Sequence, residues 1–267
     1  LPININNVGI FVREFFDKDY FNLVEKYHQF QKLTESDKPG FSLRTGLYLT
    51  DVEKKDNIYD FKLMRCSTNF TGATDNFCDV DKEILDNVNN YFSDFFEDKF
   101  NLNHVLVQTY HNNIKDDERA KETKARIKIH SDKTKDMDNK GVIAFCTFYN
   151  NYKNGKFREK RLSNIKRDKT DYFNWKYKNG DVLTKLRFKV KNELKNTGLV
   201  EKFDLTLYPN SIFVINLDTN RKYTHEICPS YMSVNHIPTR MGYVIRCSNT
   251  LARSIDGITH VKFGDEY

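Results

Sequence analysis

Apolar side chains recur at helical intervals in two stretches of the N-terminal third. The first stretch spans about Asp17 to Leu33, and the second spans Asp79 to Phe100, where apolar residues follow one another at i, i+3, i+4 and i+7. Asp79 or Asp81 can accept hydrogen bonds from the free amides at the start of the second stretch. The pattern therefore predicts two amphipathic helices in this region.

From Asn103 onward the apolar positions alternate with polar ones, in short segments separated by polar clusters. The strands predicted there are Val105–Tyr110, Arg126–His130, Val142–Tyr149, Asp204–Leu207, Ile212–Leu217 and Tyr243–Cys247. Several short strands without helices between them favour an antiparallel barrel or sandwich over a parallel α/β sheet. The sequence has no glycine-rich phosphate loop, which argues against an NTPase or a nicotinamide enzyme.

A chain of 267 residues, 39% of them hydrophobic, can bury a sizeable core in one large domain or two small ones. The longest apolar stretch, Gly141 to Tyr149, is too short to span a bilayer, and the first residues lack the pattern of a secretion signal. The five cysteines are scattered and odd in number, so neither a disulfide framework nor a zinc ribbon is indicated. We expect an intracellular protein with no membrane partner, and buried structural roles for Cys146 and Cys247.

Positive charge is concentrated between Asn151 and Lys195. This segment has fifteen Lys and Arg against five Asp and Glu, a net charge of +10, whereas the rest of the chain has a net charge of −4. Aromatic residues are interleaved with the basic ones, as on surfaces that bind phosphates and stack bases: Tyr152, Phe157, Tyr172, Phe173, Trp175 and Tyr177. A solvated surface insertion is an equally good interpretation.

The strand predicted to end at His130 is followed by Ser131 and Asp132, which makes a His-x-Asp triplet. Residues two apart on a strand point to the same face, so the imidazole and the carboxylate can converge on one ion. His225 supplies a third donor, and two histidines with one carboxylate occupy one face of iron(II), leaving three positions for a cosubstrate and dioxygen. Each of these residues, taken alone, is better explained as a strand-end, loop or turn residue, and only their combination favours a metal site.

Two arginines, Arg240 and Arg246, lie in an apolar strand and are separated by an even interval, so both lie on one face. An arginine inside an apolar strand requires a buried anion. A dicarboxylate such as 2-oxoglutarate chelates iron through its keto-acid end, and its far carboxylate needs a fixed cation such as the bidentate guanidinium. A structural salt bridge is the competing interpretation.

Four segments, taken in order, resemble the AlkB-like iron(II)/2-oxoglutarate-dependent dioxygenases. They are Val105 to Tyr110, like the family's Asn-x-Tyr strand; Ile129 to Asp132, like its His-x-Asp; Asn210 to His225, like the segment that leads to its distal histidine; and Arg240 to Arg246, like its paired arginines. The four span roughly residues 103 to 250, over half of the chain.

The resemblance implies a mainly β (α+β) fold, in which a double-stranded β-helix, or jelly-roll barrel, carries N-terminal helices packed on it. Residues 103–267 are then the catalytic core, with a basic insert at about 151–203. Residues 1–102 are a helical or lid region integrated with the barrel.

The resemblance also implies oxidation of a nucleobase, by demethylation or hydroxylation, with Fe(II), 2-oxoglutarate and dioxygen. The metal ligands are then His130, Asp132 and His225. Arg240 grips the far carboxylate with Tyr110 beside it, and Arg246 lies near the keto-acid end. The other residues expected at the cosubstrate are Gln108 and Ser248.

Several positions depart from the family's pattern. Gln108 replaces the usual asparagine, Gly242 stands where an asparagine is expected, and Lys133 replaces the acidic residue that nucleobase-acting members often carry after His-x-Asp. A charged loop through 112–123 is inserted before His130. Arg246-Cys-Ser248 resembles the Arg-x-Ser of other 2-oxoglutarate oxygenases, so Arg246 alone is an alternative cosubstrate arginine.

These departures leave three functional hypotheses open. The first is an oxygenase that acts on DNA or RNA bound through the basic 151–195 segment. The second is a 2-oxoglutarate-dependent hydroxylase of a protein or small molecule. The third is a nucleic-acid-binding module whose barrel has lost its metal.

Overall fold

The computed structural model describes residues 1–35, 38–66, 68–114 and 122–266. The protein is mainly β, with 45% strand and 15% helix, and its strands form several antiparallel sheets. The α-helices in the described ranges are α1 (Tyr20–Tyr27), α2 (Asp79–Phe92) and α3 (Leu217–Lys222). No helix in these ranges is long and apolar enough to cross a membrane.

Strands occur along the whole chain. Those before residue 103 are β1 (Pro2–Ile5), β2 (Gly9–Val12), β3 (Gln31–Glu35), β4 (Lys38–Thr50), β5 (Val52–Lys55), β6 (Ile58–Leu63), β7 (Thr68–Phe70) and β8 (Asp75–Asn76). Those between 103 and 200 are β9 (His104–Tyr110), β10 (Asn113–Ile114), β11 (Glu122–Thr123), β12 (Ile127–His130), β13 (Val142–Tyr149), β14 (Tyr152–Lys153), β15 (Lys156–Phe157), β16 (Lys166–Arg167), β17 (Trp175–Tyr177), β18 (Gly180–Asp181) and β19 (Lys185–Val190). The last six are β20 (Lys202–Thr206), β21 (Ser211–Asn216), β22 (Tyr223–Cys228), β23 (Arg240–Arg246), β24 (Thr250–Ile255) and β25 (Ile258–Val261).

The largest sheet has the order β1-β2-β21-β13-β23-β9-β4-β3-β7, with β8 added beside β4. Its central strands β13, β23 and β9 are antiparallel neighbours and are buried over nearly their whole length. One face of the sheet packs against α1 and α2, where Val24 and Val88 join a core with Leu47, Val105 and Tyr243. The N-terminal helices therefore cover one side of the sheet.

A second, four-stranded sheet has the order β12-β22-β19-β20 and is antiparallel throughout. Phe188 of β19 and Tyr223 of β22 share a core with Phe145 and Phe213 of the large sheet. The ring centroids of Phe188 and Phe213 are 5.7 Å apart. The second sheet thus covers the face of the large sheet opposite the helices, and the two sheets are not closed into a barrel.

Both predicted helices start near the expected residues but end early. The first ends at Tyr27 rather than near Leu33, because the backbone becomes extended at His28. The chain then continues as β3, which pairs with β4. The second ends at Phe92 rather than Phe100. Its predicted cap is confirmed for Asp81, whose carboxylate accepts from the backbone N–H of Cys78 at 2.9 Å.

The six predicted strands all occur, with ends shifted by a few residues. The strands that were not predicted from the sequence include the eight described before residue 103 and two strands of the second sheet, β19 and β22. The burial along β22 alternates, with Tyr223, His225 and Ile227 inside and Thr224 and Glu226 facing outward. The same alternation can be seen in the sequence of β22. It is a weak strand signal there because one of the inward positions holds a polar histidine instead of an apolar residue.

The basic segment contributes to both the surface and the core. Residues 152–181 form two small sheets, β14-β15 and β16-β17-β18, around a separate core that includes Tyr152 and Trp175. These two rings are buried, so they stabilise the segment and cannot stack on a ligand, whereas Tyr172 is 62% exposed. The residues of β19, which were expected to lie in the insert, form a strand of the second sheet. Residues 115–121 of the expected charged loop lie outside the described ranges.

We expect Phe188→Ala to lower the free energy of unfolding by about 3–5 kcal/mol, because the ring is fully buried between the two sheets. Denaturant unfolding of the purified protein measures this change. The matched control is Tyr172→Ala, which removes an exposed ring from the same basic segment and should change the stability by less than about 0.5 kcal/mol. Equal effects of the two changes would mean that β19 is not part of the core.

Candidate metal centre

Two histidines of the second sheet and an aspartate that follows one of its strands converge at the edge of its inner face. The Asp132 Oδ1 atom lies 3.6 Å from His130 Nε2 and 3.8 Å from His225 Nε2. The two imidazole centroids are 4.4 Å apart. Donor atoms that each bind one ion at about 2.1 Å lie at most about 4.2 Å apart, so both distances from Asp132 fit a shared ion. The residues predicted as metal ligands are therefore brought together.

Strand pairing and a bulge produce this convergence. In the antiparallel pair β12–β22, Ile127 lies opposite Ile227, but His130 lies opposite His225, so β12 holds one extra residue between these positions. A bulge of this kind changes the direction of the side chains that follow it. Ile129 is consequently 51% exposed, and His130 faces the neighbouring histidine.

The backbone after β12 is held in place by α3. Asn220 is buried, and its Oδ1 accepts from the Asp132 N–H while its Nδ2 donates to the Asp132 carbonyl, both at 3.0 Å. The Ser131 hydroxyl also donates to the carbonyl of Tyr223 at 2.9 Å. These bonds fix the position of Asp132 relative to β22, the strand that carries His225.

The protonation states of the histidines suit metal binding. The His130 Nδ1 atom donates to the Lys128 carbonyl at 2.8 Å, which directs the Nε2 lone pair toward Asp132. Burial lowers the pKa of His225 to about 4, partly offset by the nearby Asp132 carboxylate. At neutral pH His225 is therefore an uncharged donor, as a metal ligand must be.

Asp132 is shared between the histidines and Arg246. Its Oδ2 accepts from Arg246 Nε at 3.0 Å and Nη2 at 2.7 Å, while Oδ1 faces the two imidazoles. Burial by itself would raise the pKa of this carboxyl, but the Arg246 charge and the contributions of His130 and His225 together outweigh it and hold the pKa well below its usual range. Asp132 therefore stays ionised although it is buried.

A cavity of about 500 Å³ lies beside the three residues, between the two sheets. The large sheet lines it with alternate residues of β23, which are Arg240, Gly242, Val244 and Arg246. The second sheet contributes residues of β19 and β22 as well as the three candidate ligands. The prediction that both arginines lie on one face of the strand is confirmed.

Arg240 is a buried cation without a hydrogen-bonded anion among the described residues. It is 4% exposed, and its Nε and Nη2 atoms have no hydrogen-bond partner in the described part of the chain. Its guanidinium stacks on the ring of Tyr110, 3.9 Å from the centroid. A Cβ atom at position 242 would lie only 3.0 Å from Arg240 Nη1, so Gly242 provides the space in which this guanidinium lies along the strand toward Arg246.

Gln108 and Arg44 extend the polar lining next to Tyr110. The Gln108 Oε1 atom accepts from Arg44 Nη1 at 3.3 Å and from the Tyr110 hydroxyl at 3.4 Å. Its buried Nε2 has no partner among the described residues. Arg44, which lies opposite Tyr110 in the β4–β9 pair, was not predicted at the site because β4 was not predicted from the sequence.

Ser248 is not part of this site. Its hydroxyl donates to the Leu63 carbonyl at 2.6 Å, and its amide donates to Asn103 at 2.8 Å. It is fully buried and does not line the cavity. The strand β23 ends at Arg246, so Ser248 no longer follows the alternation that directs Arg246 inward.

No protein-family model matches this chain, and no curated protein matches it. The interpretation of the site therefore depends on its geometry.

We expect the wild-type protein to bind Mn²⁺ at this centre. Asp132→Ala should weaken that binding by more than about 100-fold, because removing a group that only hydrogen-bonds to a metal ligand already weakens metal binding by about 10- to 100-fold, and removing the ligand itself should cost more. Isothermal titration calorimetry measures the affinity. The control His260→Ala changes an exposed histidine of β25 and should leave Mn²⁺ affinity unchanged. Equal affinities of wild type and Asp132→Ala would show that the three residues do not bind the ion.

Proposed function

We propose that this protein is an iron(II)/2-oxoglutarate-dependent dioxygenase of the AlkB-like kind that oxidises a base in nucleic acid. The observation that carries the proposal is the pairing, in one cavity, of a His-Asp-His cluster with a buried arginine that lacks an anion. A diacid cosubstrate has a metal-chelating end and a far carboxylate, so it requires both features.

The order of the strands supports a jelly-roll core for this activity. Eight strands are divided between the large sheet and the second sheet in a pattern that is symmetric along the chain: β9, β13, β21 and β23 lie in the large sheet, and β12, β19, β20 and β22 lie in the second. Two facing four-stranded sets of this kind are the arrangement of a jelly roll. In the proposal, α1 and α2 are the helices packed on it.

The donor set fits iron(II). Two neutral imidazoles and one carboxylate are the facial arrangement that leaves open positions on this metal. With iron(II), 2-oxoglutarate and dioxygen bound, the centre supplies the oxidation of a substrate C–H bond. The chain itself holds the metal through His130, Asp132 and His225, and Arg246 keeps the Asp132 carboxylate ionised and oriented.

The two arginines take different roles in this proposal. Arg246 uses Nε and Nη2 on Asp132, which leaves only Nη1 without a partner among the described residues. Arg240 has two unpartnered nitrogens and lies against Tyr110. We therefore assign the far carboxylate of 2-oxoglutarate to Arg240, with Tyr110 and Gln108 beside it, and the keto-acid end to the side of Arg246.

A nucleic-acid substrate is supported by the charge of the 151–195 segment. Its basic residues include four that form ion pairs, such as Arg187 with Asp204 at 2.7 Å. Nine others are exposed and take part in none of the described ion pairs: Lys153, Lys156, Arg158, Lys160, Lys166, Lys169, Lys178, Lys189 and Lys195. A positive surface of this density attracts a phosphate backbone.

The alternative is a 2-oxoglutarate-dependent hydroxylase of a protein or small molecule. It is favoured by Lys133, which stands where an acidic residue was expected, and by Arg44, a third arginine at the cavity. Succinate formation with methylated DNA, methylated RNA and peptides as substrates distinguishes the two. Turnover with peptides alone would favour the alternative.

We expect Arg240→Ala to weaken 2-oxoglutarate binding by about 2–5 kcal/mol, the cost of truncating one partner of a buried charge pair. Arg240→Lys should recover part of this loss because it keeps the charge without the fork. Anaerobic titration of the Mn²⁺-loaded protein with 2-oxoglutarate measures the affinity, and Arg158→Ala, at an exposed site, is the control. Unchanged affinity in Arg240→Ala would transfer the role to Arg246.

We expect binding of a single-stranded oligonucleotide to weaken steeply with salt, because each neutralised phosphate releases counterions. In Lys166→Ala/Lys169→Ala the slope of log affinity against log salt should fall by about two. The control Lys54→Ala/Lys55→Ala changes two exposed lysines of β5 and should keep the wild-type slope. Fluorescence anisotropy at several salt concentrations measures this, and a flat wild-type profile would exclude contact with the phosphates.

A further inference from the structure

A second cluster of potential metal ligands lies on the opposite face of the large sheet, where α1 ends and α2 begins. His28 is the residue after α1, Cys78 precedes α2, and Asp81 lies in the first turn of α2. Their donor atoms lie close together. None of these residues takes part in the centre at His130.

The three donor atoms form a small triangle. The distances are 2.6 Å from His28 Nε2 to Asp81 Oδ2, 3.0 Å from Cys78 Sγ to Asp81 Oδ2, and 3.4 Å from Cys78 Sγ to His28 Nε2. Tetrahedral Zn²⁺, with bonds of about 2.3 Å to sulfur and about 2.0–2.1 Å to nitrogen or oxygen, needs edges of about 3.3–3.6 Å. The side chains reach these edges by separating less than about 1 Å.

One oxygen of this cluster is crowded by donors. Asp81 Oδ2 accepts hydrogen bonds from His28 Nε2, from the Cys78 thiol and from the Cys78 backbone N–H. Three donors exceed the two lone pairs that a carboxylate oxygen directs outward in its plane. A cation among the same atoms would replace the first two of these contacts with metal bonds and relieve the crowding.

The surrounding groups orient the three donors. The His28 Nδ1 atom lies 2.9 Å from Asp75 Oδ2, so a carboxylate accepts the Nδ1 proton and Nε2 faces the cluster. The Tyr243 hydroxyl donates to Asp81 Oδ1 at 2.8 Å. A histidine held by a carboxylate on its far nitrogen is the usual second shell of a zinc ligand.

Burial and donor type select the ion. His28 is 7% exposed and Asp81 is fully buried, while Cys78 is partly exposed. A set of one sulfur, one nitrogen and one oxygen suits zinc, whereas magnesium and calcium prefer oxygen alone.

We propose that His28, Cys78 and Asp81 bind a Zn²⁺ ion, with water as the fourth ligand, that fastens the end of α1 to the start of α2. Zinc binding displaces the thiol proton of Cys78 and the Nε2 proton of His28, and both go to solvent. Asp81 connects this site to Tyr243, whose strand carries Arg240 and Arg246 on its other face.

Cobalt(II) titration of the reduced wild-type protein tests the proposal, because a thiolate bound to Co²⁺ gives a near-ultraviolet charge-transfer band. The centre at His130 contains no cysteine ligand and is silent in this band. We expect the band to correspond to a single bound Co²⁺ per chain and to disappear when Zn²⁺ is added. Asp75→Asn should weaken Co²⁺ binding by about 10- to 100-fold, as loss of a second-shell carboxylate does.

Two cysteine variants assign the sulfur. Cys66 lines the cavity of the first centre, so Cys66→Ser is the matched control and should keep the band, while Cys78→Ser should lose it. Absence of the band in folded wild-type protein, or a band that survives Cys78→Ser, overturns the proposal. The wild-type and Cys66→Ser titrations decide the question even if Cys78→Ser does not fold.

Discussion

The buried ion pair between Asp132 and Arg246 is the interaction on which the site depends. Asp132 follows a strand of the second sheet, and Arg246 ends a strand of the large sheet, so the pair connects the two layers. Removing one partner of such a pair leaves an uncompensated buried charge. The same carboxylate presents its other oxygen to both histidines, which couples the packing of the sheets to the geometry of the candidate metal centre.

The side chains of β23 point alternately toward the cavity and toward the helices. Arg240, Gly242, Val244 and Arg246 line the cavity, while the alternate residues pack against the helices. Among those alternate residues, Tyr243 reaches the cluster of His28, Cys78 and Asp81. A change in the way the helices pack would therefore move the backbone that positions the two arginines.

Arg240 is a buried charge held beside the cavity by an aromatic ring. A buried guanidinium without an anion is costly, and stacking on the Tyr110 ring offsets only part of that cost. Gly242 leaves the space in which the guanidinium lies. The glycine that stands where an asparagine was expected therefore has a physical role beside this arginine.

The sequence by itself determined the six predicted core strands, the starts of both helices and the common face of Arg240 and Arg246, because these follow from local periodicity. It also identified His130, Asp132 and His225 as a set. Only the tertiary structure decided that His130 faces His225, since this needs a bulge in β12 that the alternation of Ile127 and Ile129 does not indicate. The pairing of strands distant in sequence also places Arg44 at the cavity and Ser248 away from it. Neither position can be predicted from the spacing of neighbouring residues in the sequence.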